Sequence, residues 1–88
     1  MIALRLTVHG RVQGVFYRNW TVDAARRLGL AGWVRNCPDG TVAAHVEGNE
    51  QAVRRMGELM RSGPPAAVVE RIDEQACAPE NFSGFDRR

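Results

Sequence analysis

Between residues 2 and 28 the hydrophobic period changes once, from two to that of a helix, and this constrains the fold more than any other feature. Ile2, Leu4, Leu6 and Val8 alternate with Ala3, Arg5, Thr7 and His9, the pattern of a strand with one buried face. Tyr17, Trp20, Ala24 and Leu28 then recur at helical spacing, with Asp23, Arg26 and Arg27 on the other side. Gly29 supplies a left-handed terminator, and Leu30 is the apolar residue that closes such a cap.

The remaining punctuation repeats this beginning. Ala31 to Arg35 reads as a second strand, Cys37-Pro38-Asp39-Gly40 as a turn, and Thr41 to Glu47 as a third strand. In that strand Val42, Ala44 and Val46 share one face, and Ala43, His45 and Glu47 the other. Asn49 is placed to cap a second helix whose apolar side is Ala52, Val53, Met56, Leu59 and Met60. Ser62-Gly63-Pro64-Pro65 ends it, since proline cannot continue the hydrogen-bond ladder. Val68 to Ile72 is a fourth strand with poor alternation, which calls for a bulge or an edge position. Ala78 to Ser83 is a loop, with Phe82 and Phe85 as anchors for a short last strand.

The order is β-α-β-β-α-β. The simplest packing that covers one apolar sheet face is an α+β, ferredoxin-like sandwich, with two helices on one face of a four- to five-stranded, mainly antiparallel sheet. At 88 residues, residues 1–88 are expected to form one domain with a modest stability margin. With 44% hydrophobic and 25% charged residues, neither disorder nor a membrane protein is indicated. Met1 to Arg5 lacks both a basic start and a continuous apolar stretch, so a cytoplasmic protein is expected.

All 12 basic residues are arginine, and a net charge of +2 is too small and dispersed to mark a nucleic-acid footprint. Without lysine, Schiff-base chemistry is excluded. Cys37 and Cys77 have no CxxC pairing, which fits reduced thiols. No disulfide between them is expected, because the second and fourth strands fall at opposite edges of the sheet.

Gly10 and Gly14 bracket the first strand-to-helix connection, where the backbone can curl so that N–H groups point at an anion. The helix start adds unpaired N–H groups and its positive dipole end. Arg18 adds a planar guanidinium able to make two parallel bonds to phosphate oxygens. Two glycines also serve a plain tight turn, and Arg18 is one arginine among many. Topology adds a second residue. The split strand-helix-strand unit sets the second strand parallel to the first, so Asn36 closes its strand beside the loop that follows the first. An amide there can orient a water and steady a substrate, or act simply as a turn former before Pro38-Asp39-Gly40.

The stretch Val8-His9-Gly10-Arg11-Val12-Gln13-Gly14-Val15-Phe16-Tyr17-Arg18, then Leu28-Gly29-Leu30-Ala31-Gly32-Trp33-Val34-Arg35-Asn36 and Asp39-Gly40-Thr41-Val42, resembles the two signature segments of the acylphosphatase family. Glu47-Gly48, Pro64-Pro65 and the length also match, so the resemblance covers nearly the whole chain. It implies a hydrolase that splits acyl phosphates into a carboxylate and inorganic phosphate by direct attack of water, with no metal and no cofactor. It implies that Arg18 holds the phosphate together with the backbone of Gln13, Gly14, Val15, Phe16, Tyr17 and Arg18, and that Asn36 orients the water. The implied partner is a small acyl phosphate, with inorganic phosphate as product and weak inhibitor, no nucleic acid, no membrane, and a monomeric state. The chain departs from the family in carrying Tyr17 where phenylalanine is usual, Ala43 where glutamate is common, and few residues after Phe85.

Other residues read as structural. His9 and His45 lie opposite the apolar side of their strands and read as solvated or helix-free-face histidines rather than a ligand pair, so no metal site is expected. Cys37 is a turn thiol without an adjacent histidine. Trp20 and Trp33 fit core or half-core packing. Three rival functions compete with the hydrolase. A single-stranded RNA reader needs exposed aromatics where Arg5, Thr7, Ala43 and His45 stand. A domain serving a larger enzyme, as in hydrogenase-maturation carbamoyltransferases, is disfavoured by the length, and a noncatalytic anion binder by the pairing of Arg18 with Asn36.

Overall fold

The computed structural model describes residues 1–88. The elements are β1 (Ile2–Arg11), α1 (Tyr17–Arg27), β2 (Ala31–Asn36), β3 (Val42–Gly48), α2 (Glu50–Ser62), β4 (Val68–Cys77) and β5 (Phe85–Arg87). They form one five-stranded sheet in the order β4-β1-β3-β2-β5. Every pair is antiparallel except β2 with β5, so β1 and β2, which flank β3, run the same way. The expected β-α-β-β-α-β order is present, with β5 as the added edge.

Both helices pack on the sheet face formed by Leu6, Val8, Val34, Val42, Ala44 and Val46, and contribute Tyr17, Val22, Ala25, Val53, Met56 and Met60 to the same buried cluster. The inward side of α1 differs from the sequence expectation. Tyr17, Thr21, Val22 and Ala25 are buried, while Trp20, Ala24 and Leu28 are only half-buried. Thr21 can be buried because its hydroxyl donates to the Tyr17 carbonyl at 2.8 Å, which meets the polar group's need inside the helix.

The helix ends follow the local signals. Leu30 N–H donates to Ala25 O at 2.9 Å and Gly29 N–H to Arg26 O at 3.1 Å, the paired bonds of a Schellman end, with Gly29 at φ 70°. At the end of α2, Tyr17 Oη donates to Met60 O at 2.6 Å, so the first residue of α1 satisfies an otherwise unpaired carbonyl in the last turn of α2. Burial pushes the Tyr17 hydroxyl pKa well above its ordinary value, which keeps it a donor. A side chain at Gly63 would come within 2.9 Å of that ring, so the glycine makes room for it.

Three expectations are corrected. Gly10 lies inside β1 and does not bracket the loop: at φ 128° it meets β4, where an added Cβ would stand 2.1 Å from Val68 O. The register of β1 with β4 slips between His9 and Gly10, opposite Arg71 and Val69, leaving Glu70 as the extra residue of a bulge on an edge strand. The strand is also longer than Val68 to Ile72, reaching Cys77. Finally, of the two readings of His45, the helix-free face holds and solvation does not. His45 and Glu47 on the face away from the helices are fully buried, because the segment from Ala78 to Gly84 crosses that face between the two edge strands. His9, in contrast, stays partly exposed, with Nε2 2.9 Å from an Asp73 carboxylate oxygen.

Candidate active site

The loop between β1 and α1 is held from below and from the side. Val12 is buried in the core. Gln13 Nε2 donates to Cys37 O at 2.8 Å and to Thr41 O at 2.9 Å, so the loop is fastened to the turn joining β2 and β3. That turn is itself set by Asp39, whose carboxylate accepts from the Thr41 hydroxyl at 2.6 Å and the Thr41 N–H at 3.0 Å. These two bonds hold the Asp39 carboxyl below its ordinary pKa.

Gly14 adopts φ 73° with open space around it, so the glycine is needed for its conformation alone. Phe16 is the more telling residue. It sits at φ 64° and ψ 23°, a left-handed conformation that costs a residue with a Cβ roughly 1–2 kcal/mol. Its ring recovers little of that by burial, being 78% exposed. Phe16 is also the N-cap of α1 and makes no side-chain bond to the helix, and no acid occupies the first turn. The helix therefore begins with N–H groups that no capping side chain satisfies.

Above this start lies a cleft of about 260 Å³. It is lined by Gly14, Phe16, Arg18 and Asn19 of the loop and helix, Asn36 at the end of β2, and Arg87 of β5, with Val12 and Tyr17. The lining includes two arginines and no acid, so the cleft is built for an anion. Of the residues singled out in the sequence, Gly14, Phe16, Tyr17, Arg18 and Asn36 meet here. Gln13 and Val15 do not line it: Gln13 fastens the loop, and Val15 packs against the core.

Arg87 and Asn19 are not visible as site residues in the sequence. Arg87 Nη1 donates to Asn19 Oδ1 at 3.2 Å, and Arg18 Nη1 to Arg88 O at 3.1 Å. Arg26 adds bonds from Nε and Nη2 to Phe85 O at 3.2 and 3.1 Å. The available signal is Phe85: once its ring is in the core, strand alternation turns Arg87 to the same side.

The acylphosphatase family model matches residues 4–87. An acylphosphatase from Acidiphilium cryptum is 50% identical over 88 residues, covering 100% of this chain and 97% of that one. The crystal structure of acylphosphatase from Bacillus subtilis superposes with a TM-score of 0.97 at 35% identity, covering 100% of this chain and 99% of that one. HypF from T. kodakarensis contains a similar region, with a TM-score of 0.87 at 30% identity over 100% of this chain and 12% of that one. The fold is a ferredoxin-like sandwich, and its relatives make it one of a class of hydrolases. The chain belongs to the acylphosphatase family.

Proposed function

We propose that the cleft is where this chain hydrolyses acyl phosphates, with Arg18 and Asn36 as its two catalytic residues. The observation that carries this reading is that Arg18 and Asn36, from separate elements, line one acid-free cleft over an uncapped helix start. Arg18 and the N–H groups of the loop and first turn bind the phosphoryl oxygens, where charge builds as the carboxylate leaves. Asn36 holds the attacking water through its amide oxygen and the substrate through its NH2. An acyl phosphate is already activated, so positioning and charge neutralisation are the main contributions required.

No Asp, Glu, His or Cys lines the cleft, so neither a side-chain base nor a set of metal ligands is at hand there. The water proton then passes to a phosphate oxygen of the substrate itself, and the reaction needs no metal. Inorganic phosphate, the product, occupies the same cradle as a weak inhibitor. We read residues 1–88 as one domain, a monomer, and, from its two free thiols, a cytoplasmic one. No helix is long and apolar enough to cross a membrane.

The test is hydrolysis of benzoyl phosphate in excess chelator by the wild type, Arg18→Ala and Asn36→Ala. Full activity in chelator is expected, with kcat/KM lowered by roughly 10²–10³-fold or more in each variant. A folded but inactive wild type would overturn the enzyme reading. Loss of activity in chelator would overturn the metal-free one.

A further inference from the structure

The face of the sheet away from the helices carries a buried carboxylate that the reaction does not use. Glu47 is 1% exposed. Its Oε1 accepts from the Glu80 N–H at 2.8 Å and lies 2.8 Å from His45 Nε2, and its Oε2 accepts from the Phe82 N–H at 3.1 Å. Burial alone would raise its pKa; the bonds from Glu80, His45 and Phe82 outweigh that and hold it below the ordinary value. His45 is itself fully buried, between Trp33 and the edge of the Phe82 ring. Its Nδ1 stands 3.7 Å from Glu80 Oε2 and 3.7 Å from Cys77 Sγ.

A buried carboxylate is costly unless it is fully hydrogen-bonded, and here two of its three partners are backbone N–H groups of one irregular segment. That segment, from Ala78 to Gly84, has to travel from β4 at one edge of the sheet to β5 at the other. Beyond Phe82, Gly84 O accepts from the Gly32 N–H at 2.9 Å, and Phe85 to Arg87 pair with Gly32 to Val34. Arg88 N–H then donates to Val34 O at 2.7 Å. A three-residue strand has little pairing of its own, so its placement depends on what fixes its two ends. The far end is the one that presents Arg87 to the cleft and the backbone oxygen of Arg88 to Arg18.

Glu47 cannot act on substrate directly. It pairs with Ala31, at the start of β2, whereas Asn36 closes that strand; the separation along it is roughly 17 Å. We propose that Glu47 is a positioning residue of the active site: by pinning the segment that crosses the sheet it sets β5, and through β5 it sets Arg87 in the cleft. The inference rests on the reading of the cleft given above.

The experiment is a double-mutant cycle between Glu47→Gln and Arg87→Gln, followed by benzoyl phosphate kinetics and inhibition by inorganic phosphate. All measurements are made at a temperature where circular dichroism shows each variant folded. In Glu47→Gln, one oxygen acceptor and a donor replace the two acceptors, so one of the two backbone N–H groups is released. KM for benzoyl phosphate and Ki for phosphate are expected to rise together by roughly three- to tenfold, with kcat changed less. In the Arg87→Gln background the same substitution should add almost nothing, because the group it positions is gone. A purely structural role would lower the melting temperature and leave KM unchanged, or change KM by the same factor in both backgrounds. Either result overturns the proposal. Should Glu47→Gln not fold, Glu47→Asp, whose shorter side chain keeps the charge and cannot span both N–H groups, is carried through the same cycle with the same two outcomes. Arg18→Ala and Asn36→Ala are run alongside. If they stay active, the cleft reading fails and the inference with it. If they are impaired while the Glu47 variants keep wild-type KM, only the inference fails.

Discussion

The two helices begin in opposite ways. Asn49 starts α2 with an extended backbone and a side chain that accepts from Gln51 N–H at 2.9 Å and Ala52 N–H at 3.4 Å. Glu50 follows in the first turn, where a negative charge favours the dipole, and pairs with Arg54 at 3.0 Å. Phe16 starts α1 in a left-handed conformation, caps nothing, and is followed by Arg18, a cation at the positive end. One start is closed for stability. The other combines an unfavourable backbone, unpaired N–H groups and a repelled charge, and an anion relieves the last two at once. The same secondary structure is thus finished by the chain in one case and left for a ligand in the other.

The largest expected effect comes from closing the open start. Phe16→Asp places a carboxylate where the phosphate is read to bind, and Asp tolerates the left-handed backbone. Turnover of benzoyl phosphate should fall by about 10²–10³-fold while the melting temperature holds or rises. Retained activity would mean that the start of α1 is not the anion site. Next, inorganic phosphate at a hundredfold excess over its Kd should stabilise the fold by about 2.7 kcal/mol. That is a rise in melting temperature of roughly 10 °C or more for a domain of this size, and it should vanish in Phe16→Asp.

The closed start answers differently. Asn49→Ala should cost about 1 kcal/mol, seen as a melting temperature lower by roughly 4–8 °C, with KM and kcat unchanged in the remaining folded protein. A kinetic change in that variant would break the contrast between the two helices. Acid gives the smallest test. Phe16 and Asn49 do not titrate, so neither helix cap contributes to acid lability. The folded-state pKa of Glu47 lies below the ordinary 4.5, so its contribution to stability is complete above that value and is lost as the pH falls through the lower, folded pKa. Glu47→Gln should flatten the stability profile in that window, as followed by denaturant unfolding at stepped pH.

The contrast between the helix starts is only half legible in the amino-acid sequence. Asn49 is a recognisable cap residue, and the Gly29-Leu30 and Ser62-Gly63 endings follow from local chemistry. Phe16 gives no such sign, because nothing in an aromatic residue announces a left-handed backbone. The meeting of Arg18 and Asn36 follows from topology, since parallel β1 and β2, on either side of β3, end at the same edge of the molecule. Arg87 escapes a reading by periodicity because its strand is only three residues long and too short to show a period. Gly10 misleads for a related reason: a glycine needed for the close approach of β4 looks in sequence like one needed for a loop.

What the sequence by itself determined is the order of elements, the C-terminal ends of both helices and the helix-side faces of β1 and β3, because periodicity and punctuation act between neighbours. What only the tertiary structure decided is the fate of the other face. His45 and Glu47 alternate correctly as outward residues, and water would have claimed them if the sheet had stayed bare. They are buried because a segment 33 residues further on lays its backbone N–H groups across them. No local pattern in β3 could encode that, since burial belongs to the pair of segments and not to either one.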